Sequence, residues 1–176
     1  MKTERIFSPA HPFFEASFSL YEAAFPPEER RTREDHIRFL AKPDFHCCAL
    51  TEDGVFLGIL FCWETTEFLF LEHFATLPRL RGQGLGTKAL SLLKATGKPV
   101  ILEIEPPETE LTHRRYGFYR RNGFLMNPYI HIQAKLQQAD EADVELKVLS
   151  WPRMLTTGEY SAFLSYMLRE IDIRGN

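Results

Sequence analysis

The chain has 176 residues, close to one domain at roughly 150 residues per domain. A chain of that size buries about 70% of the surface its unfolded form exposes, enough for a core without staples. Hydrophobic residues make up 44%, charged residues 26% and the net charge is -3, which excludes disorder, collagen and coiled coil as whole-chain readings and leaves no basic field for general nucleic-acid binding.

Glu4 to Phe7 reads as a short strand. Phe14, Phe18, Tyr21, Ala24 and Phe25 recur at helical spacing until Pro26-Pro27 stops them. Thr32 followed by Asp35 forms an N-cap for a second helix carrying Ile37, Phe39 and Leu40. Strands are expected over Phe45 to Thr51, Val55 to Trp63 and Phe68 to Leu77, the first two joined by the tight-turn signal Glu52-Asp53-Gly54. A helix over Gly86 to Ala95 ends at Gly97, a strand runs from Pro99 to Glu105, and a helix over Glu110 to Arg121 ends at Asn122-Gly123. Tyr129 to Leu136 and Asp143 to Leu149 read as a late hairpin, and Thr156 with Glu159 as a capping box before a last helix. Hairpin strands followed by strand–helix–strand predict an α/β (α+β) chain, with a mixed central sheet of about six to seven strands flanked by helices. The 68–77 and 99–105 strands, joined by a helix, are expected to be parallel.

The most informative stretch is Leu77-Pro78-Arg79-Leu80-Arg81-Gly82-Gln83-Gly84-Leu85-Gly86-Thr87-Lys88, between a strand and a helix. Closely spaced glycines let several N–H groups point one way at a helix N-terminus, which makes an anion nest for a phosphate or pyrophosphate. Thr87 adds a hydroxyl, and Arg81 and Lys88 add positive charge. A P-loop needs Gly-Lys-Ser/Thr and a dinucleotide fingerprint needs G-x-G-x-x-G; neither is present.

Arg81-Gly82-Gln83-Gly84-Leu85-Gly86 resembles the R/Q-x-x-G-x-G/A signature of the GCN5-related N-acetyltransferases (GNAT). Phe74-Ala75-Thr76-Leu77-Pro78 is similar to the family's strand end before that loop. Phe118-Tyr119-Arg120-Arg121-Asn122-Gly123-Phe124 is similar to its helix end, with a Tyr four residues before a Gly-Phe pair. The resemblance implies one GNAT-like domain over residues 1–176 with splayed parallel strands, and an acetyl-CoA-dependent N-acetyltransferase acting on a primary amine of a small molecule or peptide by direct attack. It places the pyrophosphate on the amides of Arg81, Gly82, Gln83, Gly84, Leu85, Gly86 and Thr87, and the pantetheine arm along Phe74, Ala75 and Thr76. It makes Tyr119 the general acid for the departing thiolate. Many members carry an Asn seven residues before that Tyr, on the pantetheine arm; Thr112 stands there in this chain.

The base is sought among carboxylates. Strand alternation sets Glu72 as the polar exception on a face of Phe68, Phe70, Phe74 and Thr76. Burial there would raise its pKa towards the working range of a base. His73 falls on the other face and reads as a core histidine. Glu103 and Glu105 share a face and are candidates to hold the substrate ammonium or relay a proton. In the family the acceptor pocket comes from the first helices and last strands, which here points to Phe25, Glu28, Trp63 and Tyr129. The basic run His113-Arg114-Arg115 and Arg120-Arg121 reads as a solvated face with ion pairs to Glu108 and Glu110, or as a contact for the CoA 3′-phosphate.

No segment approaches the ~20 apolar residues of a membrane helix, and no signal peptide follows Met1. Cys47, Cys48 and Cys62 read as small core residues of a cytoplasmic protein, with no metal. A monomer or homodimer is expected. The rival readings are a non-catalytic acyl-CoA-binding module of the same fold, and an interaction domain whose glycine loop is structural.

Overall fold

The computed structural model describes residues 1–133 and 144–171. The chain divides into two compact units, Met1–Val100 and Ile101–Asn176.

In the first unit, β1 (Lys2–Arg5), β2 (Phe45–Glu52), β3 (Val55–Glu64) and β4 (Leu69–Thr76) pair antiparallel in that order. The β2–β3 turn has Asp53 and Gly54 at positive φ, as the Asp-Gly pair requires. Three α-helices belong to this unit: α1 (Phe14–Ala24), α2 (Arg33–Phe39) and α3 (Leu85–Lys94). α1 ends before Pro26, and Pro27–Glu29 forms a 3₁₀ turn leading into α2. Thr32 caps α2 by accepting a hydrogen bond from the Asp35 amide.

One face of this sheet is aromatic. Tyr21 of α1 packs on Phe61, Phe39 of α2 packs on Trp63, and His36 meets Phe14, Phe18, Phe45 and Phe61. Burial, helped by the charge of Arg31, pushes His36 down to about 3, so it sits in this core as a neutral ring. The three cysteines are buried and unlinked, and burial pushes the Cys47 and Cys62 thiols well up.

Strict alternation fails in β4. Phe61 pairs with His73 and Cys62 with Leu71, so Glu72 is an extra residue with no partner in the register. This bulge brings Glu72 and His73 to neighbouring positions around the aromatic face, rather than to opposite faces. Further along, Gly58 of β3 opposes Thr76. A Cβ there would lie 2.4 Å from the Ala75 carbonyl oxygen, so the close approach of the two strands demands glycine.

The second unit contains β5 (Val100–Ile104), α4 (Glu110–Arg121), β6 (Leu125–Met126), β7 (His131–Gln133), β8 (Val144–Trp151) and α5 (Thr157–Glu170). β8 lies between β5 on one side and β6 and β7 on the other, both antiparallel to it. The late hairpin is therefore present as β7 and β8. The far end of the expected 129–136 strand and Asp143 lie outside the described residues. The short β6 has no sequence signal and brings the strands among the described residues to eight, against about six to seven expected. Asn127 explains its place. Its amide donates to the Val148 carbonyl and the Ser150 hydroxyl, and its Oδ1 accepts from the Leu155 N–H. Thr156 and Glu159 form the anticipated capping box of α5.

Candidate active site

The glycine loop follows β4 through a 3₁₀ turn at Pro78–Leu80. Gly82 and Gly84 take φ of 79° and 76°, left-handed values that other residues avoid. Gly84 is the N-cap of α3, with no side-chain cap and no acidic residue in the first turn. The first backbone bond into the helix runs from Lys88 N–H to the Gly84 carbonyl, 3.1 Å. The N–H groups of Leu85, Gly86 and Thr87 stand ahead of it, at the positive end of the helix dipole. A Cβ on Gly82 or Gly84 would meet no atom within 4 Å, so the space over the loop is open. Arg81, Gln83 and Thr87 are exposed beside it, as is Lys88. Leu85 is the exception among the expected loop residues: its side chain is core, and only its backbone faces the nest. This arrangement fits an anionic phosphate group. Phe74, Ala75 and Thr76 are half-buried at the end of β4.

Tyr119 lies on α4, with its ring against Phe118 and Phe124. Its hydroxyl makes no hydrogen bond among the described residues. Burial pushes its pKa up to about 12, partly offset by the charge of Arg115. The phenol therefore keeps its proton at every working pH, but is a weaker acid than a free tyrosine. Thr112 cannot stand in for the family's Asn through its hydroxyl. That group accepts from the Glu108 and Thr109 amides and closes a capping box with Thr109 at the start of α4.

Glu72 departs most from expectation. Arg31, reached from the α1–α2 connection, clasps it with two guanidinium nitrogens at 2.9 and 2.5 Å, and Trp63 Nε1–H donates to it at 3.0 Å. Side-chain exposure is 0% for Arg31 and 5% for Glu72. Burial pushes the Glu72 carboxyl upward, but Arg31 and the adjacent His73 outweigh it and hold the group well below the usual carboxylate range. The expected rise towards the range of a base is thus reversed. Trp63 is fully buried on this carboxylate and is not a pocket wall. Arg31 carries no local sequence signal, because its partner is 41 positions away.

The same connection is tied down elsewhere. Tyr21 Oη accepts the Arg31 amide at 2.9 Å, and His73 Nε2 lies 3.0 Å from the Glu29 carbonyl. Phe25 packs its half-buried ring against His73. Glu28 belongs to the 3₁₀ turn.

In the second unit Glu103 and Glu105 part company. Glu105 is half-exposed and pairs with Arg115. The Glu103 side chain is 6% exposed, with Oε1 2.5 Å from Nε2 of His131 on β7 in a contact that lacks hydrogen-bond geometry. Tyr129 stacks face to face on Tyr160 at 4.0 Å and donates its hydroxyl to the Leu155 carbonyl. Glu72, Glu103 and Glu105 all have cationic or ionisable partners, so none offers a bare negative charge to an ammonium group. His131 and Tyr160 had no sequence signal, because their partners are distant in the chain.

Among the described residues no helix is long and apolar enough to cross a membrane. The sequence model of the Acetyltransferase (GNAT) family matches residues 10–124, a span that runs through both units. The chain is 32% identical over 132 residues to YjbC of Bacillus subtilis (strain 168), assigned as an acetyltransferase. That match covers 72% of this chain and 65% of the relative, so the chain spans just under two thirds of its relative's length. A solved structure assigned to the GNAT family, from Bacteroides thetaiotaomicron, superposes with a TM-score of 0.90 at 25% identity over 98% of each chain. An aminoglycoside 6'-N-acetyltransferase complexed with coenzyme A shares the fold at a TM-score of 0.60 and 13% identity, over 87% of this chain and 99% of that one. The mixed α/β fold, the loop signature and these likenesses agree: this chain belongs to the GNAT acetyltransferase family.

Proposed function

We propose that the chain is an acetyl-CoA-dependent N-acetyltransferase that works as one domain on a primary amine of a small molecule or peptide. The observation that carries this reading is the open, uncapped N-terminus of α3 behind Gly82 and Gly84. The amides from Arg81 to Thr87 hold the pyrophosphate, and the backbone of Phe74, Ala75 and Thr76 holds the pantetheine arm. Bound acetyl-CoA supplies an acyl group already activated as a thioester. The amine nitrogen forms the new N–C bond with its lone pair, the C–S bond breaks, sulfur leaves with the electron pair, and the N–H proton that nitrogen loses as the amide forms goes to water, from which the Tyr119 phenolate regains its own. Tyr119, whose hydroxyl is otherwise unengaged, gives that sulfur a proton. Glu72 is not the base in this scheme; it is an ion-pair anchor for the α1–α2 connection. Aminoglycoside and peptide amines are the acceptor classes to try first, since the coenzyme A-bound neighbour is named for an aminoglycoside.

Acetyl-CoA at 100 times its dissociation constant should stabilise the chain by about 2.7 kcal/mol in a thermal or urea titration. Gly84→Val should abolish most of that gain, because a side chain would fill the approach to the nest. A Gly84→Val protein that folds and binds acetyl-CoA like wild type would remove the loop from the proposal. Transfer is then assayed with neomycin, a peptide with a free N-terminus, and spermidine. Tyr119→Phe should lower turnover by about 10²–10⁴-fold with little change in acetyl-CoA affinity.

A further inference from the structure

α4 carries positive charge on two opposite sides. At about 3.6 residues per turn, Arg114, Gly117 and Arg121 fall in one row, with His113 and Arg120 in the row beside it. Thr112, Arg115 and Tyr119 lie on the far side of the helix. There Arg115 pairs with Glu105, and its charge acts on Tyr119. Arg114, Arg120 and Arg121 are exposed, and among the described residues none of the three makes an ion pair. Glu110 heads the row in the first turn, where an acid suits the helix dipole, and it pairs with neither His113 nor Arg114.

Gly117 sits in the middle of this row. Glycine is among the poorest residues for a helix interior. A Cβ built there would meet one atom within 4 Å, a guanidinium nitrogen of Arg121 at 3.2 Å. The Arg121 side chain therefore lies back over the bare backbone, towards Arg114. The helix dipole accounts for cations in the last turn, which holds Arg120 and Arg121. It accounts neither for Arg114 in the second turn nor for the glycine. The result is a set of permanent guanidinium charges along about 10 Å of helix, over a shallow floor, with no counter-charge.

We propose that this face of α4 is a docking surface for a short acidic segment of a partner protein. The chain as a whole carries a charge of -3. A nucleic acid, with one charge about every 1.7 Å of duplex, would run off the row on to a net-acidic molecule. A short peptide segment ends where the row ends. An extended chain rises about 3.3 Å per residue and points alternate side chains the same way, so Asp or Glu at every second position sets a carboxylate about every 6.6 Å along the row. Guanidinium forks take carboxylates through paired hydrogen bonds. Leu111, 64% exposed and three residues before Arg114, offers an apolar contact at one end. That contact suits a peptide side chain rather than a phosphate backbone. The surface faces away from Tyr119, and the proposal does not rest on the transferase reading.

The test uses the full chain and a fluorescein-labelled peptide of alternating Glu and Ser with a terminal Leu, followed by fluorescence anisotropy. Wild type should bind it at low ionic strength, release it as salt rises, and ignore the same peptide with Gln in place of Glu. Arg114→Ala and Arg121→Ala should each weaken binding by about two- to fivefold, the range of an exposed ion pair, and the two together by more than either. Arg169→Ala removes the same charge from α5 and should bind like wild type. Gly117→Leu keeps every charge but fills the floor. Its melting temperature should hold or rise by about 2–4 °C, because leucine is a good helix former, while peptide binding falls. Equal binding of the Glu and Gln peptides overturns the surface, as do Arg114→Ala and Arg121→Ala variants that bind no worse than Arg169→Ala. A folded Gly117→Leu that binds like wild type overturns the seating over the bare backbone; if it does not fold, the arginine variants decide. A short single-stranded oligonucleotide that displaces the peptide at equal salt would make this a nucleic-acid site and overturn the proposal. So would an acetyl-CoA affinity that falls with Arg114→Ala in step with the peptide, since the row would then belong to the cofactor. Failure of wild type to bind acetyl-CoA would defeat the transferase reading alone, and the anisotropy would still judge the surface.

Discussion

Glu72 on β4 and Glu103 on β5 are equally buried, with side chains 5% and 6% exposed, yet their surroundings suit different work. Glu72 faces an arginine, which does not release a proton in a protein. Its charge is fixed, both oxygens are engaged, and its carboxyl is held well below the usual range. Glu103 faces a histidine, the one side chain whose ordinary titration lies near neutral pH. Burial among aromatic residues would have raised the Glu72 carboxyl had it been alone. The partner decides whether a buried acid is a rivet or a place where a proton can move.

The largest effect expected from this contrast is on stability in the first unit. Glu72→Gln leaves the Arg31 guanidinium buried without its counter-charge, and breaking a buried pair costs about 3–5 kcal/mol. Arg31→Met should cost a similar amount. The double variant Arg31→Met/Glu72→Leu should recover most of it, because it leaves no buried charge. Urea denaturation of the three proteins measures this. Single variants within about 1 kcal/mol of wild type would show that the pair is not the anchor proposed.

The next effect separates the two histidine environments. His36, in the Arg31 pocket, is held down to about 3 against an ordinary value of 6.5. A depressed folded pKa means that the unfolded chain takes up the proton first as pH falls. His36 therefore supports the fold fully above about pH 6.5, and loses that support progressively down to about pH 3. The slope is about 1.4 kcal/mol per pH unit for one proton, or about 2 kcal/mol lost between pH 6.5 and 5. His36→Phe should flatten this part of the stability–pH curve. Glu72 has the same sign, but its limb begins only near the ordinary carboxylate range, about 4.3, and runs below it. A wild-type curve flat from pH 6.5 to 5 would show that His36 is protonated in the folded chain.

Much of this molecule is legible in the sequence, and the boundary between what is and what is not has a physical cause. Thr32, Pro26-Pro27, Asp53-Gly54, Gly97 and Gly123 act within a few residues of themselves, and each does in the structure what its chemistry implies. The glycine loop is local too, so its left-handed residues and open helix end were foreseeable. The site carboxylates were not. The bulge at Glu72 depends on the register of β3 against β4, and a single inserted residue undoes period-2 reasoning. Arg31 and His131 find their carboxylates across 41 and 28 positions. Thr112 was taken from the ligand's side by a local motif with Thr in place of the usual Glu.

The smallest effect is the one that most sharpens the contrast. Glu103→Gln removes the carboxylate from His131, as Glu72→Gln removes it from Arg31. The consequence should differ, because a histidine ring has a neutral form that needs no counter-charge, whereas a guanidinium in a protein does not. What remains is a buried ring nitrogen and an amide with imperfect partners, at a cost of about 1–2 kcal/mol, the low end for a buried polar group that loses its partner. The loss should also depend on pH. A histidine ring in general is neutral at high pH and charged at low pH, so Glu103→Gln should lie nearer wild type at pH 8 than at pH 5.5. Glu72→Gln should keep a deficit of the same size at both, since no proton can leave Arg31. Paired urea titrations at the two pH values read both variants directly. Equal deficits for Glu103→Gln at pH 8 and pH 5.5 would mean that no proton moves when Glu103 is lost, and the two buried acids would then be rivets of one kind.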